Sequence, residues 1–555
     1  MSERNQEMDT KLHCRFSILH SQRDSQAASD SFTSRMRPVG RRLPTADLNI
    51  QNFTIITLSR FYSSKIVSIF QTPIPVRFEG IFQAIDDTAI CPQEEEFNKT
   101  ITGKLDCLHI NIYIPNSASI DNPLPVMIQI FGGKFQFGFA GRYLYGPRFL
   151  VRHDVIFITF NYRLGPYGFF CLNNSKVPGN QGLKDQMQAL RWIKENIRYF
   201  GGDDFKITIM GNSAGSMSVD LHQNFLNEPF FNRVILQSGV SLTNGVITRP
   251  DPVAPLKLAK QLNYSTNDIT DALSFLNKVE PHELIAATRD SGVIVGPCVE
   301  KKFKNVDNYI TKHPANINSV RDVDVLIGFT NDECYVRVIV MEKEEFESKD
   351  FVSELLEAYY DFKNESILSD KIKRIVRLFY YGRNFHRPGN KRPGVNISSD
   401  FIMYNPILRT IRKYLFSGIE NMYVYMFSYS GERSFVKDKH IISYTEGGAA
   451  HADELGYLFD ISYMKERTRD EDMLIIDRMT ELWTNFAKHG SLDQRDGHAM
   501  VENTQYGIPI LAIAGPIPLR CGRKTDTVAI YKPSDTITLS TRWTILVGPA
   551  GPSCM

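Results

Sequence analysis

Charge of one sign is missing from this sequence. Over 555 residues, 64 Lys and Arg stand against 62 Asp and Glu, a formal net charge of +2. Nothing in that balance attracts a polyanion, so nucleic acid is not expected as a partner. Long hydrophobic runs are missing too. The strongest, at 154–160 and Met422–Phe427, fall far short of the roughly 18 apolar residues that a membrane-crossing helix needs, so no membrane span is expected and the chain reads as soluble. Cysteine is sparse: eight, at 14, 91, 107, 171, 298, 334, 521 and 554, with no CxxC pair. Neither a metal framework nor a dithiol redox motif is expected, and cysteines so scattered should mostly be buried small hydrophobes. No basic stretch followed by an apolar core stands at the N-terminus, so no signal peptide is visible. Internal repeats are absent.

What is present is an ordinary globular balance, 42% hydrophobic and 23% charged, which excludes a chain disordered throughout. Residues 1–48 are polar, rich in Ser, Arg and Gln, and read as a disordered or unrelated tail. Residues 496–555 turn Gly/Pro/Thr-rich with weak periodicity and read as a divergent segment without assignable structure. Between them, 49–495 alternates strand and helix patterns. DVIFITF at 154–160 is nearly all apolar, as in a strand buried on both faces. Over 181–199, Leu183, Met187, Leu190, Ile193 and Ile197 recur at helical spacing. KITIM at 206–210 is a further strand, followed by a glycine turn and another helical stretch; Arg233–Gln237, 323–328 and 423–429 add more strands. Strand, helix, strand, helix implies an α/β fold with a parallel sheet covered by helices. Six N-x-S/T sequons, at Asn52, Asn98, Asn173, Asn263, Asn364 and Asn396, are few enough to point only weakly to a secreted glycoprotein.

The most informative segment is KITIMGNSAGS at 206–216. A strand runs into Gly211-Asn212-Ser213-Ala214-Gly215 and a helix follows, which is GxSxG in its strand–turn–helix context. Such a turn holds a serine in an unusual backbone conformation, leaves no room for side chains two positions to either side, and presents the hydroxyl at a helix N-terminus. There the free amide of Ala214 and the helix dipole favour negative charge.

Beyond that turn, long stretches resemble the type-B carboxylesterase/cholinesterase family of α/β-hydrolases, most of all insect esterases. They are NYRLGPYGFF at 161–170, PGNQGLKDQMQALRWIKENI at 178–197, FGGDDFKITIMGNSAGS at 200–216, RVILQSG at 233–239 and GAAHADELGYLF at 448–459, in the family's order. The resemblance runs from about Phe70 to Gly490. It implies the α/β-hydrolase fold, a mostly parallel central sheet with helices on both faces, and hydrolysis of small carboxylic esters with no cofactor and no metal. By resemblance Ser213 is the nucleophile, His451 the general base, and Glu333 in FTNDEC the acid that orients the imidazole, with Asp332 as a neighbouring rival. Ser238 resembles a serine that supports the triad from behind. The oxyanion loop matches VMIQIFGGKF at 126–135, so the amides of Gly133, Lys134 and Ala214 are the expected donors. Arg163 and Asp185 match a buried ion pair, Cys91 and Cys107 a disulfide, and Trp192 reads as core. The family suggests secretion.

The sequence also departs from the family. Lys134 stands where a third glycine is usual and Phe131 where histidine is usual. Lys134 is expected to redirect substrate choice. Asn212 replaces the usual Glu before the nucleophile, which disfavours cationic choline-type substrates. Cys334 replaces a glycine after the acid and fits if its backbone keeps φ below zero. The family's second disulfide is not expected, because Asn263 stands about where a cysteine would be. Two rival functions remain open: an impaired esterase that sequesters esters or toxins by stoichiometric acylation, kept because of Lys134, and a non-catalytic binding module on the same fold.

Overall fold

Short runs of Ile, Val, Phe and Met become strands because their branched and aromatic side chains pack well on a pleated surface. The protein, seen in a computed structural model, is described at residues 53–58, 70, 88–360, 367–382, 390–464, 469–492, 501–502 and 510–513. The expected tail at 1–48 lies outside these. The strands are β1 (Phe53–Leu58), β2 (Gln93–Glu94), β3 (Ile101–Thr102), β4 (Ile110–Pro115), β5 (Leu124–Ile130), β6 (Ile156–Phe160), β7 (Gly202–Asn212), β8 (Arg233–Gln237), β9 (Asp324–Thr330), β10 (Met422–Phe427), β11 (Val501–Glu502) and β12 (Ile510–Ile513). β2 and β3 form a ribbon of their own. The other ten make one sheet in the order β1-β4-β6-β5-β7-β8-β9-β10-β12-β11. From β6 to β12 every neighbour is parallel. Antiparallel pairs occur only towards the two edges.

β5 and β6 are buried at every residue, which requires cover on both faces of the sheet. Helices supply it: Ala214–Phe225 packs on β5, β7 and β8, and Asp470–His489 on β5 and β7. The helix expected over 181–199 is Gln181–Asn196 followed by a 3-10 turn, Ile197–Phe200. Leu183, Leu190, Ile193 and Ile197 are fully buried. Met187 and Trp192 are only half-buried, so Trp192 is a boundary residue rather than core, its ring 6.0 Å from that of Phe200. The stretch beyond 495 also departs from expectation, because β12 joins the sheet beside β10 and β11 caps it.

Register sets where the chemistry sits. Ile130 lies opposite Gly211, Asn212 opposite Gln237, and Gln237 opposite Gly328. The C-terminal ends of β5, β7, β8 and β9 therefore share one rim, and the loops leaving them meet there.

Arg163 and Asp185 form the expected buried pair, Nη2 to Oδ1 at 2.7 Å with side chains no more than 4% exposed. Cys91 and Cys107 are bridged. The expectation for the other cysteines is corrected: Cys171 and Cys298 form a second disulfide across 127 residues. Among the described residues only Cys334 is a free, buried thiol.

Candidate active site

Ser213 stands between β7 and the Ala214–Phe225 helix with φ 56° and ψ −126°, a conformation that side-chain-bearing residues adopt only under constraint. The constraint is tight packing around the turn. A Cβ on Gly211 would come within 2.4 Å of the Gly215 carbonyl carbon, and one on Gly215 within 2.0 Å of the Ile130 oxygen. The Ser213 amide donates to the Gln237 carbonyl at 2.9 Å, which ties the turn to the end of β8. Ala214 opens the helix, so its amide has no carbonyl one turn back to bond.

The acid and the imidazole come from two loops zipped together. The Asp332 amide donates to the Ala449 carbonyl at 2.9 Å and the His451 amide to the Glu333 carbonyl at 3.2 Å. The Gly448 amide donates to Asp332 Oδ2 at 2.6 Å and the Ala449 amide to Asn331 Oδ1 at 2.8 Å. Asp453 braces the turn from below, accepting from the Ala450 amide at 2.7 Å. Within this frame His451 Nδ1 lies 2.6 Å from Glu333 Oε2, with the Glu333 side chain fully buried and that of His451 26% exposed. The other carboxylate oxygen of Glu333 accepts from Ser238 Oγ at 2.6 Å and from the Thr330 amide at 2.8 Å. Asp332, the rival acid, faces away and holds Arg392 through two bonds of 2.5 and 2.7 Å. Cys334 has φ −97°, so the replaced glycine is accommodated. Burial alone lowers the His451 pKa, but the Glu333 charge and its hydrogen bond outweigh that and raise it above 6.5. Neither Ser213 Oγ nor His451 Nε2 hydrogen-bonds to a described residue.

The loop after β5 closes the other side. A Cβ on Gly132 would sit 3.1 Å from Ser213 Cβ, so this loop touches the serine. The Gly133 carbonyl turns inward to accept the amides of Gln136 and Phe137 at 2.9 and 3.1 Å. The amides of Gly133 and Lys134 bond to no described residue. Gln93 pins the far end through both bonds to Gly138, 2.9 and 2.7 Å. Phe131 is turned into the core, stacked 4.4 Å from the Tyr162 ring. Lys134 is exposed.

Sequence reasoning missed the floor of the site. Asn212 Nδ2 donates to Glu454 Oε1 at 2.9 Å and Gln237 Nε2 to the same atom at 3.3 Å. Glu454 is fully buried. Burial, with Glu333 nearby, pushes its pKa up to about 7. Its one sequence signal is its position three residues after His451, which puts it on the same turn. Among the described residues no His, Cys, Asp and Glu cluster is fit to hold a metal.

A parallel sheet, a strained serine at a strand–helix turn, and an imidazole held by a buried acid at the same rim define the α/β-hydrolase class. The carboxylesterase family model matches residues 68–506, and the chain belongs to that family. It is a serine carboxylic ester hydrolase. Juvenile hormone esterase of Tribolium castaneum is 29% identical, covering 73% of this chain and 74% of that protein. Esterase B1 of Culex pipiens is 31% identical, covering 70% and 75%. The crystal structure of juvenile hormone esterase from Manduca sexta superposes with a TM-score of 0.69 at 24% identity, covering 86% of this chain and 92% of that one. Among the described residues no helix is long and apolar enough to cross a membrane.

Proposed function

We propose that the chain hydrolyses esters through a Ser213–Glu333–His451 triad and an acyl-enzyme. Ser213 Oγ attacks the ester carbonyl as His451 Nε2 takes its proton. The amides of Gly133, Lys134 and Ala214 stabilise the oxyanion. The tetrahedral adduct collapses, His451 returns the proton to the leaving alcohol, and the acyl group stays on Ser213. Water then attacks with His451 again as base, releasing the acid and restoring the serine. Glu333 keeps Nδ1 protonated and balances the imidazolium. Ser238 is a positioning residue acting through Glu333. The observation that carries this reading is the 2.6 Å contact of His451 Nδ1 with a wholly buried Glu333, on the same rim as a serine held at φ 56°. The bond from Ser213 to His451 forms when an ester occupies the site, since such bonds are often loose in free enzymes.

Ser213→Ala should abolish steady turnover of a short-chain nitrophenyl ester and labelling by a fluorophosphonate. Turnover surviving in Ser213→Ala overturns the triad, and a stoichiometric burst without steady state in the unaltered protein replaces hydrolysis by sequestration. Two disulfides support a secreted protein, because such bridges persist in oxidising compartments.

A further inference from the structure

We propose that this site prefers esters that carry an anionic group, held by the ammonium of Lys134; the proposal rests on Ser213 being the nucleophile. Lys134 is exposed, and its ammonium forms no ion pair or hydrogen bond with a described residue. It belongs to the loop that touches the serine. Gly132 is the point of contact, and the Lys134 Cα lies two residues on, at most about 7.6 Å from that of Gly132. A flexible four-carbon stem covers such a distance.

Two further features favour an anion. Lys134 and Phe135 keep left-handed backbones, φ 55° and 62°, which any residue with a Cβ adopts unfavourably. This chain carries a long cation where glycine would relieve the strain, and such outliers gather at ligand-binding segments. Secondly, the position immediately before Ser213 carries no charge to offset the ammonium. The residue before Ser213 is the neutral Asn212, whose amide is spent on Glu454. Glu454 is fully buried beneath it. The loop and turn thus offer the amides of Gly133, Lys134 and Ala214, and the loop also carries the exposed ammonium of Lys134. A carboxylate or sulfonate on the ester, on either its acyl or its alcohol side, meets attraction from that ammonium.

Two matched substrate pairs test this. Nitrophenyl hemiadipate against nitrophenyl heptanoate places the anion on the acyl side, and acetoxybenzenesulfonate against tolyl acetate places it on the alcohol side. The readout is the anionic-to-neutral ratio of kcat/KM within each protein, so losses common to both esters cancel. In one pair Lys134→Gln should lower the ratio about fivefold, the effect of a favourable exposed ion pair. Lys134→Glu should lower it further, and added salt should lower it in the unaltered protein. The pair that responds identifies the side bearing the anion. A ratio unchanged in both pairs overturns the proposal. Ser213→Ala on the neutral ester is judged separately: turnover there defeats the nucleophile itself, whatever the Lys134 variants do.

Discussion

His451 is governed by opposing influences, and their balance predicts a pH profile. Burial favours the neutral ring, while the charge and hydrogen bond of Glu333 favour the cation and win, so the pKa rises above 6.5. In the proposed mechanism the ring must be neutral to accept the serine proton, so kcat/KM should climb with pH through that raised pKa. Glu333→Gln removes the opposing charge. The acidic limb should move to lower pH while the maximum falls by about 10²–10⁴; a kcat/KM profile between pH 5 and 9 checks both, and an unmoved limb counts against Glu333 as the partner. Glu454 makes a separate prediction. Its pKa is raised from 4.5 to about 7, so the stability it confers is complete below the lower value and lost as pH rises through the higher. Glu454→Gln cannot ionise. Its melting temperature relative to the unaltered protein should therefore improve from pH 5 to pH 8, by an equivalent of about 1–3 kcal/mol. An equal difference at both pH values would show that Glu454 titrates in the folded protein as it does in the unfolded chain, with no raised pKa. The serine is legible from its strand–turn–helix motif, whereas Glu333 and His451 are picked out only by the resemblance of FTNDEC and GAAHADEL to the family. Glu454 is not legible, because its importance comes from burial under residues 217 and 242 positions away.

At the scale of elements, the proposed triad depends on how one loop fastens to another. The acid loop after β9 and the histidine loop at 447–453 share five hydrogen bonds that run through Asn331, Asp332 and Glu333. Asp332 does most for this seam, binding the Gly448 amide and Arg392 together. Asp332→Ala should cost about 1–3 kcal/mol, the penalty for a lost buried hydrogen-bond partner. The Arg392 side chain is 50% exposed and can turn to water, which keeps the cost below that of a stranded buried charge. kcat should fall more than KM rises, because the imidazole loses alignment while the pocket remains. A variant with full kcat and lowered stability would leave Asp332 a purely structural role. The elements themselves were readable where hydrophobic period was strong, as in β6, β8 and the Gln181–Asn196 helix. Trp192 was misread because its position near the buried stripe resembles core, while the helix presents it at the boundary. β12 was hidden by its four residues within a Gly/Pro-rich stretch, too short for a period to register.

Across the whole molecule, the two disulfides differ in how much chain they restrain. Cys91–Cys107 closes 16 residues and Cys171–Cys298 closes 127. The longer closure could not be read from spacing, because pairing over that distance is decided by the fold. It joins the segment before the Gln181–Asn196 helix to the strand-like stretch leading to Glu300, and a buried polar knot forms beside it. Asn180, at φ 61°, donates to the Cys298 carbonyl and Glu300 at 2.8 and 2.7 Å. Lys184 pairs with Glu300 at 3.0 Å, both side chains no more than 1% exposed. Chain-entropy reasoning assigns roughly 3 kcal/mol to a loop the size of the shorter bridge and nearly 5 kcal/mol to one the size of the longer. The paired change Cys171→Ala with Cys298→Ala should therefore lower stability more than Cys91→Ala with Cys107→Ala. A chain of this length is prone to unfold irreversibly, so the fitting measurement is the half-life of esterase activity at one elevated temperature, with both pairs compared under non-reducing conditions. The 171–298 variant should inactivate faster, and dithiothreitol should bring the unaltered protein towards it. If the 91–107 variant is the faster, or the two are equal, the long closure is not the principal covalent restraint.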